Sequence, residues 1–468
     1  MHRPLLLVLA VVVALVGCAP APKSPLPPLD ELNVLVIVID TLGARHLGSL
    51  APLDEPDLDT SPVLDALAAG GVNFTRAQST APWTQPSVGS LFTGLTPSRH
   101  GAIHLLDSFA DENETLAEMM RVRGKSTAGV ISHHLINREL GYAQGFDRYD
   151  ETPIAGHRGI SSKKVTDSAI HELRRMKDEN FFLFVHYFDP HNVYRHHEDF
   201  SRTDWYEGPA RQWDPRIREL RARRDAMTEE DVRYFRDTYR EEIAWTDHQV
   251  GRLLNMLDNL GLEENTLVIV TSDHGEAFME HGWIGHTRYL YDPFVHVPFI
   301  VSLPGTLTPA TVDAPVSLVD VVPTLLAAAG ERDLGDYDGA SLLPLLAGEV
   351  ADSWNERPVF AEVAFLAGTN EQDPLILEKE AFLASVTQGD FKLVHDVEAD
   401  TWELYDRDAD PGETENLYDD AHPVVVELRP QLVAWEEGKV ETWGREFVRI
   451  EEMSPEQVER LRSLGYIR

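Results

Sequence analysis

Asn33-Val34-Leu35-Val36-Ile37-Val38-Ile39-Asp40 is an unbroken aliphatic run that ends on a carboxylate. It is rich in β-branched residues and too short for a buried helix, so it reads as a strand covered on both faces, as in a parallel sheet. Two further stretches repeat the pattern far along the chain. Phe181-Phe182-Leu183-Phe184-Val185 runs into His186, Asp189 and His191, and Thr266-Leu267-Val268-Ile269-Val270-Thr271-Ser272 ends on Asp273-His274. Strands of a parallel sheet share one edge at their carboxyl ends, and ligands bind in the crevice outside it. The three endings are therefore expected to meet, which is how an active site is assembled, and the chain reads as an enzyme.

Around these runs, strand-like and helix-like stretches alternate from Leu29 to about Gly330, which predicts an α/β/α sandwich with a mostly parallel central sheet. Ser61-Pro62 through Gly70 has a cap residue, a proline at the first helical position and a terminal glycine. Ser126–Ser132 and Val297–Leu303 read as strands, Glu241–Leu260 as a helix, and Leu318–Gly330 as a helix started or kinked at Pro323. The catalytic α/β domain is placed at 31–355, with the charged, Arg-rich 192–240 as a solvated helical insertion. After Glu356 the texture changes to short strands such as Phe391–His395 and Trp402–Tyr405, predicting a small C-terminal α+β domain over 356–468. Ser454-Pro455-Glu456-Gln457 has the pattern of a capping-box helix start.

Met1-His2-Arg3, the apolar stretch Leu5–Val16 and the sole cysteine, Cys18, have the layout of a signal peptide over 1–18. One cysteine forms no internal disulfide, and this one stands at the expected cleavage point. The run resembles a bacterial lipoprotein signal, which implies a lipidated Cys18, anchoring in the cell envelope through that lipid alone, and an extended Pro-rich tether over 19–30. The chain carries a formal charge of −37 over 468 residues, and an acid-rich surface repels nucleic acid and anionic headgroups.

Ala81-Pro82-Trp83-Thr84-Gln85-Pro86-Ser87-Val88-Gly89-Ser90-Leu91-Phe92-Thr93-Gly94 places Thr84 where a helix begins, with Pro86 in its first turn. A helix N-terminus offers free N–H groups and a positive dipole end, suited to a phosphate or sulfate group. Taken alone, the local pattern fits a threonine that merely caps the helix. Thr84-Gln85-Pro86-Ser87 with Leu91-Phe92-Thr93-Gly94 resembles the nucleophile motif of the sulfatases, within the alkaline-phosphatase superfamily. Asp40 with its strand, Thr271–Glu276, and Glu403-Leu404-Tyr405-Asp406 with Asp410-Pro411-Gly412-Glu413 resemble other motifs of that family, in the same order.

The departures shape the expected chemistry. Sulfatases convert a cysteine or serine to formylglycine, and threonine cannot undergo that conversion, so no formylglycine is expected at Thr84. The motif arginine is Val88, and the expected Lys-His segment reads Ser132-His133-His134. An adduct on Thr84 has no second hydroxyl to eliminate from, so water or an acceptor alcohol must attack it directly, which favours phosphoryl over sulfuryl chemistry. Asp273, His274 and His286 also resemble the zinc motif of phosphoethanolamine transferases, and threonine nucleophiles occur there and in nucleotide phosphodiesterases.

The resemblance implies one divalent metal held by Asp40, Thr84, Asp273 and His274. Zn²⁺ or Mn²⁺ suits these donors best and Ca²⁺ is a third candidate. His191 and His286 are expected to protonate the leaving oxygen or to hold a second metal. Thr41, His133, His134 and His281 stand as outer or pocket residues. The substrate expected is a small-molecule, glycan or lipid-headgroup ester of phosphate or sulfate. Two other readings remain at this point: a transferase passing a phospho-substituent to an envelope lipid or glycan, and a non-catalytic binding lipoprotein on a degenerate fold. Retention of all four metal-ligand types argues against the last.

Overall fold

The computed structural model describes residues 24–365, apart from 52–54, 56–57, 105–106 and 155–158, and also 381–439, 442, 454 and 455. Cys18, the start of the tether and nearly all of the helix read from Ser454 lie outside the described residues. Ten strands belong to the larger domain: β1 Asn33–Ile39, β2 Val72–Gln78, β3 Ser126–Val130, β4 Arg148–Asp150, β5 Phe181–Tyr187, β6 Thr266–Thr271, β7 Ala277–Phe278, β8 Ile284–Gly285, β9 Phe299–Ser302 and β10 Ala310–Ser317. Eight of them form one sheet in the order β10-β2-β9-β6-β1-β5-β3-β4. Only β9 runs against its neighbours, so the sheet is mostly parallel.

β1 lies at the centre, with Val36 beside Phe184 of β5 on one side and Ile269 of β6 on the other. Its side chains alternate between two cores. Val34, Val36 and Val38 join Leu91, Phe92, Met120 and Val322 on one face. Leu35, Ile37 and Ile39 join Val165, Leu173, Ile243 and Leu253 on the other. Helices cover both faces, which completes the α/β/α sandwich. A four-stranded antiparallel sheet of β11 Val359–Phe365, β12 Ala381–Gln388, β13 Phe391–Asp396 and β14 Thr401–Asp406 follows, packed by the helix Pro423–Glu436.

Three local readings change in the tertiary context. The Pro-rich tether over 19–30 does not extend to 30, because Leu26 and Leu29 are buried and Lys125 Nζ donates to Leu29 O at 2.7 Å. Apolar residues three apart find the core there, which outweighs the prolines' extended preference. The helix read from Glu241 begins earlier, as one helix Glu229–Asn259 with a Thr228–Asp231 capping box. Ser61 does not cap its helix. Asp247 of the long helix accepts the Val63 and Leu64 amides at 3.0 and 2.8 Å instead. A carboxylate at a helix N-terminus outcompetes a hydroxyl.

Phe184, wholly buried on β5, meets Phe92 of the helix Thr84–Thr93 edge to face, with ring centroids 4.8 Å apart. Phe184→Ala is expected to cost about 3–5 kcal/mol in urea unfolding. A loss below about 1 kcal/mol would show that this contact does not hold the helix to the sheet.

Candidate active site

The carboxyl ends of β6, β1, β5 and β3 lie side by side on one edge of the sheet. Asp40 follows β1, and its N–H donates to Tyr187 O at 2.9 Å. Asp273 follows β6, and its Oδ1 accepts the Thr41 and His274 amides at 3.3 and 2.9 Å. His274 Nδ1 donates to Gly275 O at 3.0 Å, which leaves Nε2 with its lone pair facing the carboxylates. That Nε2 is 3.5 Å from Asp40 Oδ1 and 3.7 Å from Asp273 Oδ2.

Thr84 opens its helix after the extended residue Trp83, and no side chain caps the N-terminus. The capping reading is thereby excluded. The Thr84 hydroxyl instead stands 3.3 Å from His274 Nε2. Ser87, one turn on, holds the helix against the end of β6: its hydroxyl donates to Asp273 O and lies 2.6 Å from Ser79 Oγ. His100 Nε2 reaches Pro86 O at 3.0 Å on the other flank, so it braces the helix rather than facing the carboxylates. Thr84 is wholly buried among these groups.

His191 Nδ1 donates to Asn192 O at 2.8 Å, and its ring centroid is 4.8 Å from that of His286. His286 in turn lies 4.5 Å from the His274 ring and shares a 2.9 Å hydrogen bond with Glu276 Oε1. Burial pushes the Glu276 carboxyl up to about 8. The hairpin β7–β8 explains the pairing, since Glu276 and His286 flank its two ends. All the sequence-predicted catalytic and metal residues in the described part of the chain are therefore neighbours.

Asp189 is placed differently. Its Oδ2 accepts the Ser161 and Ser162 amides at 2.9 and 2.7 Å and caps the helix Ser162–Met176. His281 stacks on Tyr291, with ring centroids 3.7 Å apart. Two further histidines flank the carboxylates, one from an expected strand ending and one an expected pocket residue. His186 Nε2 is 3.8 Å from Asp40 Oδ2, and His133 Nε2 is 3.9 Å from it. The available signal was topological, because β3 and β5 are parallel neighbours whose ends must share this edge.

Asp40 Oδ1, Asp40 Oδ2 and Asp273 Oδ2 are buried and have no hydrogen-bond partner among the described residues. Burial, and then the Asp273 charge, push the Asp40 carboxyl well above its usual range. Burial also works to raise Asp273, but the His274 and His186 imidazoles hold it below its usual value. Two buried carboxylates with orphan oxygens beside an imidazole lone pair fit a divalent cation.

The sulfatase family profile matches residues 32–331, and that of the N-sulphoglucosamine sulphohydrolase C-terminal region matches residues 279–437. The chain is 24% identical over 451 residues to an N-acetylglucosamine-6-O-sulfatase of Bacteroides thetaiotaomicron, covering 77% of this chain and 79% of that protein. An ulvan-active sulfatase of Formosa agariphila is 27% identical over 444 residues, covering 89% and 82%. The fold is similar to that of a phosphonate monoester hydrolase of Agrobacterium radiobacter, with a TM-score of 0.68, 21% identity and coverage of 88% of this chain and 96% of that one.

A carboxyl whose folded pKa is raised favours the folded state fully below its ordinary value of 3.8, and that advantage is lost as pH rises through the folded value. The lowered Asp273 acts in the opposite sense, but its contribution is already complete above about pH 5. Chelator-treated protein should therefore lose thermal stability as pH rises above about 5, and Asp40→Asn should lessen that decline. An equally steep decline in the variant would remove Asp40 as its source.

Proposed function

The chain belongs to the sulfatase family, and from that premise we propose that it is a metal-dependent hydrolase of phosphate or sulfate esters that works through a covalent Thr84 intermediate. The observation that carries this reading is the Thr84 hydroxyl, 3.3 Å from His274 Nε2, beside two buried carboxylates with unsatisfied oxygens. Asp40, Asp273, His274 and Thr84 would hold the cation, with Zn²⁺ or Mn²⁺ favoured by the mixed oxygen and imidazole donors. When bound, such an ion lowers the pKa of a nearby hydroxyl and neutralises charge on the group being transferred.

Thr84 Oγ1 attacks the phosphorus or sulfur atom, and its proton passes to the carboxylate cluster. As the new bond forms, the bond to the leaving oxygen breaks, and His191 or His286 protonates that oxygen. Water then attacks the same centre and gives a proton back to the histidine that served the leaving oxygen, while the bond to Thr84 Oγ1 breaks and the hydroxyl regains its proton from the carboxylate cluster. The helix N-terminus, which no side chain caps, would offer its amides to the anionic group.

A threonine adduct must be cleared by direct displacement at the central atom. This supports phosphoryl over sulfuryl transfer, as does a fully buried Val88 where the motif arginine is expected. Relatives named as sulfatases of sugars and of ulvan support a glycan or small-molecule ester as substrate. A lipidated Cys18 would hold the enzyme in the cell envelope, and an acid-rich surface with a charge of −37 keeps it from nucleic acid.

Thr84→Ala is expected to reduce turnover by about 10³-fold or more on a panel of aryl phosphate monoesters, diesters and sulfate esters. Thr84→Ser should retain measurable activity. Equal turnover by Thr84→Ala would remove Thr84 as nucleophile, and product formation only with an added acceptor alcohol would identify a transferase. For the anchor, Cys18→Ser should move the protein from the membrane fraction to the soluble envelope fraction. An unchanged distribution would exclude lipidation at Cys18.

A further inference from the structure

Residues of the charged segment 192–240, together with Ile160, line a cavity of about 410 Å³. That volume falls in the range of about 300–1,000 Å³ typical of small-molecule sites. Arg195, His196 and Arg211 contribute to its wall, with Trp213 and Tyr234, and none of the described lining residues is acidic. In a chain of net charge −37 such a lining is a marked local reversal, and it favours an anionic ligand.

The three basic residues differ in what already engages them. The backbone N–H of Arg195 donates to Glu242 Oε1 at 3.0 Å, and His196 Nδ1 shares a 2.8 Å hydrogen bond with Glu241 Oε2, so two carboxylates of the long helix fix that wall. Arg211 is held differently. Its Nε donates to Tyr206 O at 2.6 Å and a terminal nitrogen donates to Thr203 O, both neutral carbonyls. It forms no ion pair among the described residues, and its guanidinium lies 5.7 Å from the centroid of the Tyr234 ring. The charge is therefore fixed in place without being neutralised, and a planar guanidinium fork matches a carboxylate, sulfate or phosphate. Trp213 and Tyr234, both half-buried, give the same cavity an apolar wall on which the C–H face of a sugar ring can pack.

Both walls continue into the candidate active site. Tyr194–His196 follow His191 directly in the chain, and the buried Tyr194 ring packs on Phe278 of β7 with centroids 5.2 Å apart. Trp213 leads into the helix Ile217–Arg223, whose Arg221 donates to Ile284 O and His286 O at 2.8 and 3.1 Å. One wall is thus the segment that carries His191, and the other leads to the helix that braces His286. These are the histidines assigned to the leaving oxygen, so the cavity is placed for the part of a substrate that lies beyond that oxygen.

We propose that this cavity binds an acidic sugar unit in the leaving group of the substrate, with Arg211 pairing the anionic substituent and Trp213 and Tyr234 packing on the ring. The inference rests on the hydrolase reading given above and narrows its substrate to an anionic glycan.

Isothermal titration calorimetry of the full chain tests this, with a tetrasaccharide alternating glucuronic acid and N-acetylglucosamine, which has no phosphate or sulfate ester to cleave. The wild type is expected to bind it at least about tenfold more tightly than the neutral N-acetylglucosamine tetramer. Arg211→Gln should weaken binding of the acidic tetrasaccharide by about tenfold or more. Ile160→Glu should do the same, because it sets a carboxylate at an exposed position of the lining while leaving the Arg211 contacts in place. That variant keeps the test decisive should Arg211→Gln fail to fold. Equal affinity for the two tetrasaccharides, no binding of the acidic one, or unchanged affinity in Ile160→Glu would overturn the proposal. So would inorganic sulfate binding as tightly as the tetrasaccharide. Ester turnover without this binding removes the sugar site alone, whereas this binding in a protein that turns over no ester removes the hydrolase reading alone.

Discussion

Two carboxylates, Asp40 and Asp273, are buried side by side at the sheet edge with three oxygens that no described group satisfies. Left alone, such a pair opposes folding, because each charge loses water and repels the other. The fold tolerates it because strong elements on every side fix the carboxylates in place. β1 and β6 are buried along their whole length, and the Thr41 and His274 amides hold Asp273 by one oxygen while leaving the other exposed to the site. The surrounding structure can be understood as what holds this unfavourable arrangement and makes it useful.

The helix that carries Thr84 is part of that frame. Ser87 and Ser79 both donate to Asp273 O, and the Phe92–Phe184 contact holds the helix to β5, so Thr84 cannot drift from His274 without breaking core contacts. The C-terminal sheet reaches the same region from the other side. Buried Lys392 of β13 pairs with Glu413 at 2.7 Å and with Asp292, and Arg407 also binds Asp292, shortly after His286 in the chain. Removing one member of such a buried group leaves the others uncompensated, so the small domain steadies the segment that carries His286.

Chemistry follows from what the site holds and what it lacks. His274, His186 and His133 each bring Nε2 within 4 Å of an Asp40 carboxylate oxygen, so imidazoles line the carboxylate pair. In the proposed reaction Thr84 has a single hydroxyl, so its adduct would have to be cleared by direct displacement. Under the proposed function these features suit an ester whose transferred group tolerates attack by water.

The parallel sheet and the meeting of Asp40, Thr84, Asp273, His274, His191 and His286 at one of its edges were legible in the chain. Continuous apolar strands can only be buried on both faces, and short motifs at helix and strand ends keep their chemistry wherever the ends meet. Other features were settled only by the fold. Asp189 looked like a site residue and became a helix cap, while the cap expected of Ser61 passed to Asp247 from a helix far along the chain. His186, a strand ending, and His133, an expected pocket residue, come within 4 Å of Asp40 because β5 and β3 lie next to β1 in that order. Sequence determines which strands are buried and which chemistry ends them. Strand order and register decide which of those ends become neighbours, because pairing across the sheet depends on the packing of the whole core rather than on any local pattern.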